Sequence, residues 1–117
     1  MIDKNIRLSV DVSTADPLWK IAPTRDENGG RVSDFLMIIP RLRQKPENHI
    51  KRTLNDIDRA LKQFKSDIVF ANMDMKLNTL WVSFKSEPGL FMEIAAAIKL
   101  QVPEAVLVGD MSSRLTK

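Results

Sequence analysis

Apolar residues follow one another at intervals of four, three, four and three residues in the stretch 46–64. This spacing predicts an amphipathic helix with one buried stripe, and it is the strongest periodic signal in the chain. Pro46 suits the first helical position, because the N–H that proline lacks has no partner in a first turn. The predicted stripe consists of Ile50, Leu54, Ile57, Leu61 and Phe64.

Patterns on either side of this helix predict strands. Residues 6–13 alternate between apolar and polar side chains, which is typical of a strand with one face in water. Residues 35–39 are apolar at every position, so we expect a central strand over 33–42 that is covered on both faces. After the helix, residues 68–75 and 80–85 predict a hairpin. Its second strand is predicted to direct Leu80, Val82 and Phe84 to one face and Trp81, Ser83 and Lys85 to the other.

A second helix is predicted from Ser86 to about Leu100. Ser86-Glu87-Pro88 offers an oxygen-bearing cap followed by an early proline, and Val102-Pro103 ends the helix. Residues 105–108 predict a last strand. Near the N-terminus, prolines interrupt regular structure around a short apolar patch at 18–21, and residues 26–30 predict a turn.

The order strand–helix–strand occurs twice, which predicts an α+β fold. We expect a ferredoxin-like βαββαβ sandwich, an antiparallel sheet with two helices on one face, preceded by an extra N-terminal strand. A chain of 117 residues is the length of a single domain. Within 1–117, residues 1–31 are predicted to form the strand and loop extension, 32–110 the core and 111–117 a polar tail.

The same patterns predict which side chains form the core. Each expected core residue is apolar and lies on the inward set of a predicted strand or helix. The expected core residues are Ile38, Ile39, Leu54, Ile57, Leu61, Val82, Ile94 and Ile98.

The composition excludes several classes of site. The chain has no cysteine, which removes disulfides, cysteine-ligated zinc, iron–sulfur clusters and thiol nucleophiles. The carboxylates match no metal-ligand spacing, so no metal and no cofactor is predicted. The N-terminal residues lack the apolar core of a signal peptide, and no apolar run approaches the ~18 residues of a membrane span. These features favour a cytoplasmic protein.

The net charge of +3 is unevenly placed. Residues 41–65 hold eight Lys or Arg against three Asp or Glu, and part of this excess leads into the N-terminus of the first predicted helix. Free backbone N–H groups and cationic side chains converging there suit an anion. The alternative is a charged helix face that only meets water. The candidate anion-binding residues are Arg41, Arg43, Lys45, His49 and Arg52.

The sequence does not favour an enzyme. His49 is the only histidine, and no carboxylate near it in sequence is placed to orient it as a general base. No serine lies in a G-x-S-x-G or S-x-x-K motif and no glycine-rich phosphate loop is present, so we assign no catalytic residue. RNA recognition is also disfavoured, since Trp81 and one of Phe35 or Phe84 could serve as aromatics on a binding sheet but the RNA-binding sequence motif is absent.

The stretch Pro88-Gly89-Leu90, continuing to Ile98, resembles the helix start of ACT domains. These are βαββαβ regulatory modules that bind amino acids and commonly pair through their sheets. In ACT domains the motif follows the first strand, whereas here it opens the second helix. The resemblance therefore implies no ligand role for these residues.

Two apolar surfaces are left uncovered by the predicted layers. One is the face of the sheet away from the helices, and the other is a row of apolar residues four apart on the outer side of the second helix. We expect a homo-oligomer, most simply a dimer, with the sheet face preferred as the interface. The candidate interface residues are Leu36, Ile38, Trp81, Met92, Ala96 and Leu100.

The function expected from the sequence is a non-catalytic, self-associating module that binds a ligand or a protein. One alternative is a binder of phosphoanions or nucleic acid through the basic residues 41–52. The other is a small enzyme whose site forms between subunits.

Overall fold

A sheet covered by two helices makes up the part of the chain that the structure describes, residues 9–11 and 30–110 of a computed structural model. Its strands are β1 Ser9–Asp11, β2 Val32–Ile38, β3 Ile68–Asp74, β4 Thr79–Lys85 and β5 Val106–Asp110. Its helices are α1 Glu47–Lys62 and α2 Leu90–Gln101, and a 3-10 turn, Leu42–Gln44, precedes α1.

The strands lie in the order β1-β3-β4-β2-β5. Strand β1 runs parallel to β3, and all other neighbours are antiparallel. The predicted α+β class is confirmed, with a four-stranded antiparallel sheet and two helices. Of the N-terminal strand predicted over 6–13, only the three residues of β1 are described. The rest of that strand, the apolar patch at 18–21, most of the turn at 26–30 and the tail 111–117 lie outside the described residues.

Helix α1 forms where the periodicity predicted it, but it begins at Glu47, and Pro46, expected at the first helical position, is its N-cap. Ile57 and Leu61 are buried, and Ile50, Leu54 and Phe64 pack against the core with part of their surface exposed. On the solvent side, Lys62 forms an ion pair with Asp58 across one helical turn at 3.1 Å. Such exposed pairs contribute only a few tenths of a kcal/mol. Burial of the apolar stripe therefore holds the helix in place.

The core lies between the helices and one face of the sheet. On β2, Phe35 and Met37 point to this face, and the register sets them opposite Val82 and Leu80 of β4. Ile57 of α1 and Ile94 and Ile98 of α2 complete the same cluster. Three phenylalanine rings pack together here. The ring centroid of Phe35 lies 5.8 Å from that of Phe84 and 5.3 Å from that of Phe91.

Two of the expected core residues are placed differently. Ile38 is 37% exposed, so its assignment to the core is wrong, and Leu54 is only partly buried. Ile38 alternates with Met37 and therefore points away from the helices. Its cross-strand neighbour there is Val106 of the edge strand β5, which is itself half exposed. The other six expected core residues are buried.

The start of α2 also differs from the prediction. The helix begins at Leu90, and its N-cap is Gly89 with φ of 80°, which has no side-chain capping bond. This positive φ suits glycine because it has no Cβ to clash with the backbone. Ser86, the predicted cap, instead accepts a hydrogen bond at its Oγ from the hydroxyl of Ser33 on β2 at 3.0 Å.

We expect Ile57→Ala to lower the free energy of unfolding by about 2–5 kcal/mol, because it leaves a cavity beneath α1. Denaturant melts measure this loss. Asn55→Ala, on the exposed side of the same helix, is the matched control and should change stability by about 0.5 kcal/mol or less. A loss below about 1 kcal/mol for Ile57→Ala would show that this side chain does not anchor the helix.

Candidate functional site

A polar cluster lies on the face of the sheet away from the helices. Asp34 of β2, Asn72 of β3, and Trp81 and Ser83 of β4 all point to this side, because each alternates with a residue of the core. The register sets Asp34 opposite Ser83, and Asn72 opposite Trp81. These four side chains, which we call the sheet-face cluster, therefore lie next to one another on three adjoining strands.

The sheet-face cluster is buried. Asp34 is 4% exposed, Asn72 1%, Trp81 6% and Ser83 0%. Aspartate, asparagine and serine are mostly found at protein surfaces and rarely reach such burial unless their polar atoms are paired. Three such residues beside a buried tryptophan on one patch of sheet therefore distinguish this face from an ordinary solvent-exposed one.

One hydrogen bond joins two members of the sheet-face cluster. The indole Nε1 of Trp81 donates to Oδ2 of Asp34 at 3.1 Å, across the two central strands of the antiparallel sheet. Burial strengthens this bond, since water does not compete for either partner. It also fixes the orientation of the indole ring on the sheet.

The other two members lack hydrogen-bond partners within the described residues. Oδ1 and Nδ2 of Asn72 and Oγ of Ser83 are buried and make no hydrogen bond there. Each buried polar group left without a partner costs about 1–3 kcal/mol of stability. In native proteins such groups usually contact ordered water or a ligand.

The chemistry available in the sheet-face cluster is hydrogen bonding. An activated serine nucleophile needs a neighbouring base, most often histidine. His49 belongs to α1, which packs on the opposite face of the sheet from Ser83. The cluster therefore resembles a binding site more than a catalytic one.

The strand pattern of the sequence predicted part of this cluster. It placed Trp81 and Ser83 on the face opposite Leu80, Val82 and Phe84, which is correct. It missed Asp34 and Asn72, although a signal was present in the chain. Each is a polar residue within an otherwise apolar strand segment. Each also belongs to the alternating set of its strand that points away from the core.

The predicted anion-binding residues lie along the approach to α1. Arg41, Arg43, Lys45 and Arg52 are exposed, and His49 is half-buried. The backbone N–H of Arg43 donates to Oδ1 of Asn78 at 2.9 Å, which ties this loop to the turn between β3 and β4. Nε2 of His49 lies 4.0 Å from Oε2 of Glu104, beyond hydrogen-bonding distance. Glu104 is a carboxylate that the sequence did not place near His49, and its charge offsets part of the local positive charge.

The predicted interface residues fall on two separate surfaces. On the sheet face, Trp81 is buried, Leu36 is half-buried and Ile38 is exposed. On α2, Met92, Ala96 and Leu100 are all exposed. The largest uncovered apolar side chains among these candidates are thus on the helix.

Residues 9–11 and 30–110 contain neither a membrane-spanning helix nor a cluster of metal ligands. Neither helix there is long and apolar enough to cross a membrane. The same residues contain no group of three or more His, Cys, Asp or Glu side chains positioned to hold a metal ion.

Comparison of the chain with models of known protein families, with curated proteins and with solved structures finds no match. The function is therefore inferred from the geometry of the molecule itself.

We expect the hydrogen bond between Trp81 and Asp34 to stabilise the sheet measurably. In a double-mutant cycle of Trp81→Phe and Asp34→Ala, the coupling energy should be about 1 kcal/mol or more, because the bond is shielded from water. Denaturant melts of the four proteins measure the coupling. A coupling within about 0.3 kcal/mol of zero would mean that the bond contributes nothing.

Proposed function

We propose that the chain is a non-catalytic interaction module that forms a homodimer through the outer side of α2. The observation that carries this proposal is the exposure of its apolar row, with Met92 61% and Leu100 79% exposed and Ala96 exposed between them. Residues four apart on a helix lie above one another, so the three form one continuous strip. Ile94 and Ile98, on the other side of α2, are fully buried.

The surroundings of this row support an interface. Single exposed hydrophobic residues are ordinary, whereas a contiguous apolar strip with a polar rim is typical of a protein contact. Glu93 and Lys99 flank the row. The ammonium group of Lys99 donates to the carbonyl oxygens of Pro103 and Ala105 at 3.1 and 2.7 Å. Its charge is thereby held at the end of the helix, away from the middle of the row.

The row is also suited to pairing with itself. Met92 and Leu100 lie at equal distances in sequence on either side of Ala96. Two antiparallel copies of α2 related by a two-fold axis at Ala96 would set Met92 of each copy near Leu100 of the other. The small alanine at the axis permits close approach of the helices.

The sequence alone had favoured the open sheet face as the interface. Burial of Trp81 and partial burial of Leu36 leave less apolar surface there than the strand pattern suggested. Ile38 remains exposed, but it lies at one side of the sheet beside β5. These placements favour α2 over the sheet face in our proposal.

We also propose that residues 32–110 adopt the ferredoxin-like arrangement. The support is the order β3-β4-β2-β5 among the antiparallel strands and the two strand–helix–strand units that produce it. Strand β1, which pairs in parallel with β3, is an addition to that arrangement.

A second candidate function is binding of a phosphoanion at the approach to α1. It is supported by the exposure of Arg41, Arg43 and Lys45 within one short loop. Nucleic acid is less well supported than a small anion, because the buried Trp81 offers no exposed ring on which a base could stack. An enzyme with a site between subunits is the least supported of these functions, since His49 and the nearby carboxylate of Glu104 are not hydrogen-bonded to each other.

The dimer proposal predicts a mass near twice 13.3 kDa by light scattering at micromolar concentration. Met92→Glu and Leu100→Glu should each give the monomer mass, because a buried charge without a partner opposes association. Leu77→Glu is the matched control, since Leu77 is an exposed apolar residue in the turn between β3 and β4. A wild-type mass near 13.3 kDa would reject the dimer. Dissociation by Leu36→Glu but not by Met92→Glu would move the interface to the sheet face.

The anion candidate predicts retention on heparin at low salt that decreases as salt is added. Reversing two charges, Arg41→Glu with Arg43→Glu, should abolish the retention while the circular dichroism spectrum stays unchanged. The control reverses two exposed lysines at the opposite end of α1, Lys62→Glu with Lys65→Glu, and should retain most of the binding. Failure of the wild-type protein to bind heparin or RNA at low salt would exclude this candidate.

A further inference from the structure

Asn72 and Ser83 form a pair of hydrogen-bonding groups that the fold itself does not use. They lie on neighbouring strands and on the same face of the sheet, with Asn72 opposite Trp81 and Ser83 two residues further along β4. Such diagonal positions are about 7–8 Å apart at the Cα atoms. A small molecule is the right size to contact both side chains at once.

The unused groups define the chemistry of a partner. The amide of Asn72 presents a donor and an acceptor side by side in one plane, and the hydroxyl of Ser83 both donates and accepts. A planar group with an N–H beside a C=O forms two hydrogen bonds to such an amide, just as adenine bonds asparagine through its N6 donor and its N7 acceptor. The register sets Trp81, whose indole is hydrogen-bonded to Asp34, directly opposite Asn72, so the indole borders the unused amide.

We propose that the sheet-face cluster binds an uncharged small molecule through a cis-amide edge. Such an edge occurs in lactams, primary carboxamides and pyrimidine bases. Asn72 would bind the N–H and C=O of the edge, and Ser83 would make a third hydrogen bond. This site is distinct from the row on α2 and does not depend on dimer formation.

The composition of the cluster disfavours charged ligands. None of its four members is Lys, Arg or His to neutralise a phosphate or carboxylate, and Lys85 of the same alternating set lies two residues beyond Ser83, at the end of β4. Its single carboxylate, Asp34, accepts the hydrogen bond from Trp81 and is too little to hold a metal ion. Both helices lie on the other face of the sheet, so a ligand bound in the cluster would not contact the helical layer.

The test is a titration of the full ¹⁵N-labelled chain, followed by NMR through the side-chain NH₂ signals of Asn72. Asn72→Leu identifies these signals by their loss. The probes are 2-piperidone and uracil, which hold N–H and C=O on the same side. N-methylacetamide is the matched control, because its trans amide carries both groups on opposite sides. We expect the two cis probes to shift the Asn72 signals, and N-methylacetamide to bind about tenfold more weakly or worse.

Two variants separate binding from folding. Ser83→Ala and Asn72→Leu each remove a buried polar group that has no partner among the described residues. Both should therefore melt no lower than the wild type while binding 2-piperidone about tenfold more weakly or worse. For Asn72→Leu, the backbone amide of residue 72 reports binding. If Asn72→Leu does not fold, Ser83→Ala and the wild-type titration still decide the question.

Several outcomes would overturn the proposal. If the Asn72 signals move with neither cis probe and show contacts only to water, then ordered water occupies the site. Equal shifts with N-methylacetamide would reject the cis-amide preference. Met92→Glu, which removes the proposed dimer contact, should leave the titration unchanged. Failure of the dimer proposal and failure of this proposal can therefore be told apart.

Discussion

The structure depends on the packing of both helices against one face of the sheet. Ile57, Ile94 and Ile98 reach the same set of strand residues, and removal of that apolar surface from water is the main force that assembles the layers. A sheet has two faces, however, and this helical layer covers only one of them. The properties of the opposite face and of the outer side of α2 follow from this asymmetry.

On the opposite face, polar groups occupy positions where a second apolar layer would place aliphatic residues. Trp81 and Asp34 satisfy part of that polarity with a hydrogen bond that crosses the two central strands. Asn72 and Ser83 have no hydrogen-bond partner among the described residues, so their hydrogen-bonding groups stay unused at a cost in stability. Proteins accept such a cost at sites where binding needs the unused groups. This balance is the physical basis of the ligand site that we propose there.

Helix α2 meets two different requirements on its two sides. Ile94 and Ile98 anchor it to the sheet, while Met92 and Leu100 remain in water. Substituting polar residues at these outer positions would leave the inner contacts intact, so the monomer fold does not account for the apolar row. A second copy of the chain supplies a reason for it, because an isologous contact uses one strip twice. The two proposed surfaces therefore belong to different parts of the molecule and act independently.

Local periodicity determined the elements: the helical spacing from Ile50 to Phe64 and the alternation in residues 80–85 each identified a helix or strand and its inward side. It also identified the apolar row on α2, because the spacing of residues along the sequence is enough to show that a helix carries apolar side chains on more than one side. Tertiary structure alone decided that Ile38 faces water and that Asn72 and Asp34 join Trp81 and Ser83 in one cluster. Strand order and register bring together residues distant in the chain, and burial depends on what lies across the sheet. Neither quantity is encoded in the pattern of a single segment.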